Sequence, residues 1–169
     1  MQVGFIGLGR MGANMVRRLV RDGHEAVAYD AAPGAAIGLA EELGPAVTAV
    51  DSLRAMGDRL TGPRVFWMMV PQGEAVDDTI DAALAVASRG DILIDGGNSY
   101  FKQTVERAAR VEAAGLKYVD CGTSGGVWGL ERGYCLMVGT DPASFAHCEP
   151  LFRSLAPING YKHVGGHGA

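Results

Sequence analysis

Cysteine is scarce in this sequence, which has three cysteines among its 169 residues: Cys121, Cys135 and Cys148. An odd number without close cysteine or histidine partners excludes a disulfide framework and predicts reduced thiols, as in cytoplasmic proteins. Free cysteines are usually buried structural residues, and we expect the same of these three. The four histidines lack ligand spacing as well, so we expect surface histidines and no metal site.

Long apolar runs and an excess of positive charge are also missing. No apolar run approaches the roughly 20 residues of a membrane-spanning helix, and the N-terminus has neither the charged leader nor the cleavage site of a signal peptide. The 15 basic and 19 acidic residues give a net charge of -4, which offers no attraction for polyanions. We therefore expect a cytoplasmic protein that binds neither nucleic acid nor membranes, folded as one domain over residues 1–169.

Glycine, in contrast, is abundant, with 25 residues, and three glycines near the N-terminus form a spaced pattern. An apolar, strand-like run, Val3 to Ile6, precedes them and an amphipathic helical pattern follows. Gly7 would permit a tight turn, Gly9 would let the backbone approach a pyrophosphate, and Gly12 would let the helix pack on the strand. The free N–H groups of the helix N-terminus would then meet the phosphates. The turn consists of Gly7, Leu8, Gly9, Arg10, Met11 and Gly12.

An acidic residue stands where a dinucleotide-binding turn needs one. The second predicted strand, Glu25 to Tyr29, is followed by Asp30, about twenty residues beyond the glycines. A carboxylate there accepts hydrogen bonds from the hydroxyls of the adenine ribose. The glycine spacing alone is weak evidence, and a turn without a ligand is the alternative. Strand, turn, helix and acidic residue together favour dinucleotide binding.

Strand and helix patterns alternate along the rest of the chain. Strands are predicted at 48–50, 64–70, 91–95 and 117–120, and helices at 35–43, 53–56, 74–87 and 101–114. This alternation predicts an α/β fold, a doubly wound Rossmann-type parallel sheet in a single domain. Extra C-terminal strands are predicted at 134–138 and 161–164, and residues 121–133 are expected to form a glycine-dense loop.

Ligands of such a sheet bind in the crevice beyond the carboxyl ends of its strands, so the strand ends supply the candidate cofactor residues. Val70, Pro71 and Gln72 should pass over the cofactor, and Val76 should lie beside the adenine. The side chain of Arg10 could contact a phosphate of the cofactor, or it could be a charged group that faces solvent. Together with the glycine turn and the acidic residue after the second strand, these residues form the predicted cofactor site.

Two later loops offer polar groups at the same edge of the sheet. Asn98 follows two glycines, where its amide suits a substrate hydroxyl or the nicotinamide side of a cofactor, although a turn-forming asparagine is the simpler interpretation. Thr123, Ser124, Gly125 and Gly126 have the composition of an anion-binding nest, with a plain glycine turn as the alternative. Hydride transfer also needs a proton acceptor. The lysines near strand ends are expected to face solvent, so no residue clearly fills that role.

Three motifs together resemble a known family. The N-terminal glycine turn resembles the opening fingerprint of the 3-hydroxyacid dehydrogenase superfamily. Two further motifs, Asp95-Gly-Gly-Asn-Ser99 and Asp120-Cys-Gly-Thr-Ser-Gly-Gly-Val-Trp-Gly-Leu-Glu-Arg-Gly133, are similar to the decarboxylating 6-phosphogluconate dehydrogenases of the shorter, bacterial type. The 3-hydroxyisobutyrate-type relatives have other residues in place of Gly-Gly-Asn-Ser. The chain therefore resembles the N-terminal cofactor-binding domain of a 6-phosphogluconate dehydrogenase.

The resemblance implies NAD(P)-dependent oxidation of 6-phosphogluconate at its C3 hydroxyl, a reaction of the pentose phosphate pathway. Loss of CO2 from the 3-keto acid and protonation of the enediol then give ribulose 5-phosphate. By the same resemblance Asn98, Ser124, Gly125 and Gly126 bind the substrate. Asn98 is also included in the predicted cofactor site, because of its position at a strand end. A homo-oligomer is implied for the full-length enzyme.

The sequence departs from the family at two points. Members that use NADP have an Asn-Arg-Thr-like stretch after the second strand, whereas this chain has Asp30 followed by two alanines. A carboxylate repels a 2′-phosphate and no arginine stands there to receive it, so NAD is favoured over NADP. The family's catalytic lysine is expected beyond Ala169, and the helical domain that carries the dimer interface is absent from the chain.

We therefore expect no catalytic residue in this chain, which should bind NAD without turning over 6-phosphogluconate. Two alternatives stay open. One is another 3-hydroxyacid dehydrogenase, of the 3-hydroxyisobutyrate type. The other is a dinucleotide-binding module that performs no chemistry.

Overall fold

Short apolar runs form a sheet that lies buried between two layers of helices in the computed structural model, which describes residues 1–169. The strands are β1 Gln2–Ile6, β2 Glu25–Tyr29, β3 Val47–Ala49, β4 Val65–Met68, β5 Ile92–Asp95, β6 Lys117–Ser124, β7 Cys135–Gly139 and β8 Tyr161–Gly165. The helices are α1 Arg10–Arg21, α2 Ala35–Leu43, α3 Leu53–Arg59, α4 Glu74–Leu84, α5 Phe101–Ala113, α6 Gly129–Arg132 and α7 Pro142–Leu155.

The eight strands form one sheet in the order β3-β2-β1-β4-β5-β6-β7-β8. The first six strands are parallel to their neighbours, whereas β7 runs antiparallel to β6 and parallel to β8. The prediction of a doubly wound Rossmann-type parallel sheet with extra C-terminal strands is confirmed. The strand order reverses between β1 and β4, and such a switch point opens a crevice at the carboxyl ends of the strands.

β6 is longer than the sequence indicated, because residues 121–124 extend this strand instead of beginning a loop. They pair antiparallel with β7, and Ser124 lies opposite Cys135. The burial of these residues alternates, as it does along a β-strand. Cys121 and Thr123 are buried on one face of the sheet, whereas Gly122 and Ser124 are less buried. The glycine content of the segment obscured this alternation.

Two hydrophobic clusters cover opposite faces of the sheet. Helices α1, α2 and α7 pack on one face around Trp67, which is fully buried. Its ring stacks on Phe5 with centroids 6.0 Å apart and meets the edge of Phe152 at 5.9 Å. Helices α3, α4 and α5 pack on the other face through side chains such as Met56 and Ile80. None of the helices combines the length and hydrophobicity that crossing a bilayer requires.

Two expectations about single polar or sulfur-containing residues are wrong. Cys135 is exposed on β7, whereas Cys121 and Cys148 are buried. His24 is buried rather than at the surface, because its ring nitrogens contact the amino group of Met1 at 2.9 Å and the hydroxyl of Ser154 at 2.8 Å. Burial lowers the pKa of His24, which therefore favours its neutral form in the folded protein.

Candidate functional site

A cleft with a volume of about 710 Å³ lies at the carboxyl ends of the strands on either side of the switch point. Its charged lining residues are Arg10, Asp30 and Asp78, and no lysine or histidine lines it. The following predicted cofactor residues line it: Gly7, Gly9, Arg10, Met11, Gly12, Asp30, Val70, Pro71 and Asn98. Residues selected from four separate parts of the sequence therefore converge on one cleft.

Each glycine of the N-terminal turn has a distinct steric environment. Gly7 has a φ of +91°, and a Cβ there would lie 2.5 Å from the carbonyl oxygen of Met69. A Cβ on Gly12 would overlap the carbonyl oxygen of Gly7, so α1 can pack this close to the turn only with glycine. A Cβ on Gly9, the N-cap residue of α1, would meet no atom within 4 Å. The turn is thus tightly packed against the protein and has free space at Gly9, where the first N–H groups of α1 lack helical partners.

Asp30 joins the end of β2 to the glycine turn. Its Oδ2 accepts the N–H of Leu8 at 2.5 Å, and its Oδ1 accepts the N–H of Ala32 at 2.7 Å. Each carboxylate oxygen can accept about two hydrogen bonds, so each keeps a lone pair for a further donor. Asp30 therefore fixes the turn and still offers the cleft an acceptor for a hydroxyl group.

A second cavity, of about 620 Å³, adjoins the cleft beside Asp30. Asp30 and Ala31 line both spaces, and Asp51 and Arg59 line the second one. No arginine stands near Asp30 in the sequence, but Arg59, the last residue of α3, reaches this region through the fold. The arginine shares the cavity with two carboxylates.

Three predicted cofactor residues do not line the cleft with their side chains. Val76 is fully buried in the core, because it lies on the face of α4 that packs on the sheet; this corrects its expected place beside a bound adenine. Gln72 is exposed outside the cleft, and the side chain of Leu8 is buried. α4 instead presents Ala75, Asp78, Thr79 and Ala82 to the cleft.

Asn98 bridges the loop after β5 to the extended part of β6. Its Nδ2 donates to the carbonyl oxygen of Thr123 at 3.2 Å, and its Oδ1 accepts the N–H of Thr123 at 3.2 Å. Both residues line the cleft. The amide is therefore held in one orientation, with one N–H and one lone pair left for a ligand.

Asp95, the last residue of β5, is a functional candidate that the sequence analysis missed. Its carboxylate is 2% exposed and accepts hydrogen bonds from the N–H of Gly97 at 3.0 Å, the hydroxyl of Ser99 at 3.0 Å and the hydroxyl of Tyr118 at 3.1 Å. Burial and the neighbouring Asp95 carboxylate raise the pKa of Tyr118, so this hydroxyl stays a donor. The available signal was an acidic residue at the end of a fully apolar strand.

The predicted substrate residues Ser124, Gly125 and Gly126 lie outside the lining of the cleft, and Thr123 is the residue of this segment that reaches it. The extension of β6 carries Ser124 past the edge of the cleft. Tyr134 packs beneath the glycines, where a Cβ on Gly125 would lie 2.8 Å from its ring. The side chains of the chain include no group of three or more histidine, cysteine or acidic residues arranged to hold a metal ion.

Comparisons with known proteins point to one family. A family model described as the NAD binding domain of 6-phosphogluconate dehydrogenase matches residues 2–165. The NAD(+)-dependent, decarboxylating 6-phosphogluconate dehydrogenase of Haloferax volcanii is 41% identical over 170 residues, which cover 100% of this chain and 55% of that protein. The chain thus spans about half the length of this curated relative.

Solved structures of two dehydrogenases share the fold. The 3-hydroxyisobutyrate dehydrogenase of Mycobacterium tuberculosis superposes with a TM-score of 0.84 at 32% identity, over 99% of this chain and 55% of that one. The 6-phosphogluconate dehydrogenase of Plasmodium falciparum superposes with a TM-score of 0.90 at 23% identity, over 99% of this chain and 38% of that one.

Proposed function

The chain belongs to the family of NAD-binding domains of 6-phosphogluconate dehydrogenase, which is an oxidoreductase family. We propose that the chain binds NAD for the oxidative decarboxylation of 6-phosphogluconate. The observation that carries the proposal is the free space at Gly9, at the start of α1, in a cleft that Asp30 also lines. Helix N-termini bind phosphates, and a carboxylate at this position binds ribose hydroxyls.

An adenine dinucleotide would lie along the whole length of the cleft. The glycine turn, Gly7–Gly12, and Asp30 would hold the adenosine and pyrophosphate, and we name this part the adenosine end. The loop residues Gly96, Gly97 and Asn98, together with Thr123, would face the nicotinamide, and we name this part the nicotinamide end. When bound, NAD would supply the acceptor for the hydride that leaves the hydroxyl-bearing carbon of the substrate, while the hydroxyl itself loses a proton. The protein's own groups bind and orient it.

We propose NAD rather than NADP because of the charges around the ribose position. Asp30 would repel a 2′-phosphate, and Asp51 adds a second carboxylate to the adjoining cavity. Arg59 is the one basic residue that lines this adjoining cavity, and it does not line the cleft. The name of the Haloferax relative as NAD(+)-dependent supports the same preference.

Titration of the purified chain with NADH and NADPH, followed by ligand fluorescence, tests the cofactor proposal. NADH should bind at least about tenfold more tightly than NADPH, and Asp30→Ala should weaken NADH binding about tenfold, as expected for lost hydrogen bonds to a charged group. Asp22→Ala, which removes the same charge from the exposed turn after α1, is the matched control. Equal affinities would reject the NAD preference, and absence of binding would reject the proposal.

The substrate proposal rests on the nicotinamide end. Asn98 presents its side-chain amide to the cleft, and Thr123 lines the cleft near the end of β6. Ser124, Gly125 and Gly126 follow Thr123 directly in the chain. The cleft residues at the nicotinamide end are Gly96, Gly97, Asn98 and Thr123, and none is a lysine, histidine or carboxylate that could accept the substrate proton, so we propose that this chain alone binds without turnover. The similarity to the M. tuberculosis enzyme supports a second candidate substrate, 3-hydroxyisobutyrate.

Nuclear magnetic resonance can separate these two substrates. We expect 6-phosphogluconate, added to the NADH-bound chain, to shift the amide resonances of Asn98 and Ser124, whereas 3-hydroxyisobutyrate at the same concentration leaves them unchanged. The reverse pattern would favour the second candidate. Incubation with NAD and 6-phosphogluconate should give no NADH absorbance, and formation of NADH would disprove the absence of turnover.

A further inference from the structure

The loop that carries Asn98 is held by a carboxylate buried directly beneath it. We propose that Asp95 is a positioning residue that fixes the Asn98 amide for the nicotinamide half of the cofactor. The inference rests on the proposed NAD binding, and it concerns a residue that does not itself line the cleft.

Asp95 has the hydrogen bonds of a structural anchor. With 2% exposure, a carboxylate is stable as an ion only when several donors surround it. The three donors described above, from Gly97, Ser99 and Tyr118, meet this need. Two of them come from the residues on either side of Asn98, so the carboxylate holds the loop on both sides of the amide.

The opposite side of the Asn98 amide is fixed as well, by its two hydrogen bonds to the backbone of Thr123. The loop cannot easily move toward β4, since a Cβ on Gly96 would overlap the indole nitrogen of Trp67. These contacts leave Asn98 one position. Such preorganisation matters because a ligand group misplaced by about 1 Å can lose most of its interaction.

The loop that carries Asn98 also separates the cofactor cleft from another cavity. Gly97 and Asn98 line both the cofactor cleft and a cavity of about 250 Å³ on the other side, next to Asp120. A loop released from Asp95 therefore has room to move into that cavity. Removal of the carboxylate should shift Asn98 away from the cleft without altering the adenosine end.

The variant Asp95→Asn tests this inference. An asparagine keeps the shape but is neutral, so the bond from the Gly97 N–H loses its charge assistance and an NH2 group faces the Ser99 and Tyr118 hydroxyls, which must turn to accept it. We expect NADH to bind about tenfold more weakly, while ADP-ribose, which lacks the nicotinamide, binds within about twofold of the wild-type affinity. In spectra without ligand, the side-chain amide of Asn98 and the backbone amide of Thr123 should shift.

Asp91→Asn is the matched control, because Asp91 directly precedes the same strand at its other end and is 3% exposed. Its carboxylate accepts the N–H and Nε–H of Arg64 at 2.8 and 2.7 Å, and the N–H of Ser88 at 2.8 Å. This variant should lose stability and keep both affinities. Tyr118→Phe and Ser99→Ala each remove one donor to Asp95. Each should weaken NADH binding about two- to fourfold and leave ADP-ribose binding unchanged. These two variants serve as the test if Asp95→Asn does not fold.

The inference and the proposed function fail in different ways. Wild-type chain that binds neither ligand rejects NAD binding and the inference with it. Equal wild-type affinity for NADH and ADP-ribose overturns the inference alone, as does equal weakening of both ligands in Asp95→Asn. Unchanged Asn98 and Thr123 resonances in that variant overturn it without any cofactor measurement.

Discussion

The two ends of the cleft are built by different means. At the adenosine end, the candidate groups are backbone N–H groups at Gly9 and one carboxylate, Asp30, whose hydrogen bonds run to backbone N–H groups nearby. At the nicotinamide end, the candidate group is the side chain of Asn98, and its orientation depends on Asp95 and Thr123. One end is assembled from a turn and a strand end, and the other from three strands and a buried network.

The two ends also differ in how far the residues that would bind the cofactor are the same residues that stabilise the fold. At the adenosine end, one glycine is required for packing and another borders the space for a ligand. Gly12 is packed against the backbone, whereas Gly9 faces free space. At the nicotinamide end, Gly96 is packed against Trp67, and the carboxylate that orients Asn98 is part of the core. We therefore expect variants to isolate binding from stability more cleanly at the adenosine end.

The largest expected effects come from a pair of variants at the adenosine end. In Gly12→Ala, the new Cβ overlaps the carbonyl oxygen of Gly7, and the free energy of unfolding should fall by about 3 kcal/mol. In Gly9→Ala, the Cβ meets no protein atom, so stability should stay within about 0.5 kcal/mol of the wild type. NADH affinity should nevertheless fall about 10- to 100-fold, because the methyl group would occupy the space that we propose for the phosphates.

Urea unfolding followed by circular dichroism, together with NADH titration, measures both quantities for this pair. Gly96→Ala extends the comparison to the nicotinamide end, where stability and NADH affinity should fall together. If Gly9→Ala binds NADH normally, the free space at that residue is not a phosphate site. If Gly96→Ala loses affinity at full stability, the proposed contrast between the two ends is wrong.

The contrast also explains which features the sequence could predict. The adenosine end was predictable, because the turn, the helix that follows and Asp30 all depend on local spacing and on one strand pairing. Asp30 ends up beside the turn since β2 pairs in parallel with β1, which places Tyr29 opposite Ile6. The doubly wound fold was predictable for the same reason, as its strands and helices alternate over short distances.

The remaining features depend on contacts between distant segments. The burial of Val76 depends on the face of α4 that meets the sheet, where Ile80 is buried as well. The strand at residues 121–124 exists because β7 returns antiparallel to pair with it. Arg59 and Asp95 became candidates only when the fold placed them beside the two ends of the cleft.

A smaller effect is expected at Asp120, an acidic residue that lines the cavity on the other side of the Asn98 loop. Asp120 lies opposite Asp95 in the β5–β6 pairing, but it accepts one hydrogen bond, from the N–H of Gly168 at 3.0 Å, where Asp95 accepts three. Burial, together with the charge of Asp95, raises the pKa of Asp120, although the Gly168 bond and the nearby His167 oppose this shift. Stability from such a group is fully present below its ordinary pKa and is lost as the pH rises through the raised value.

Asp120→Asn should therefore be more stable than the wild type at neutral pH, by about 1 kcal/mol, because it removes a poorly compensated charge and can still accept the Gly168 N–H. The advantage should shrink as the pH is lowered through the raised pKa of Asp120 toward the ordinary value of an aspartate, because protonation then removes the charge of the wild-type carboxyl too. Urea unfolding of both proteins across this range gives the difference directly. A variant that is less stable than the wild type at neutral pH would mean that the Gly168 bond outweighs burial. Asp120 would then be an anchor like Asp95, and the number of donors around a carboxylate would no longer distinguish the two residues.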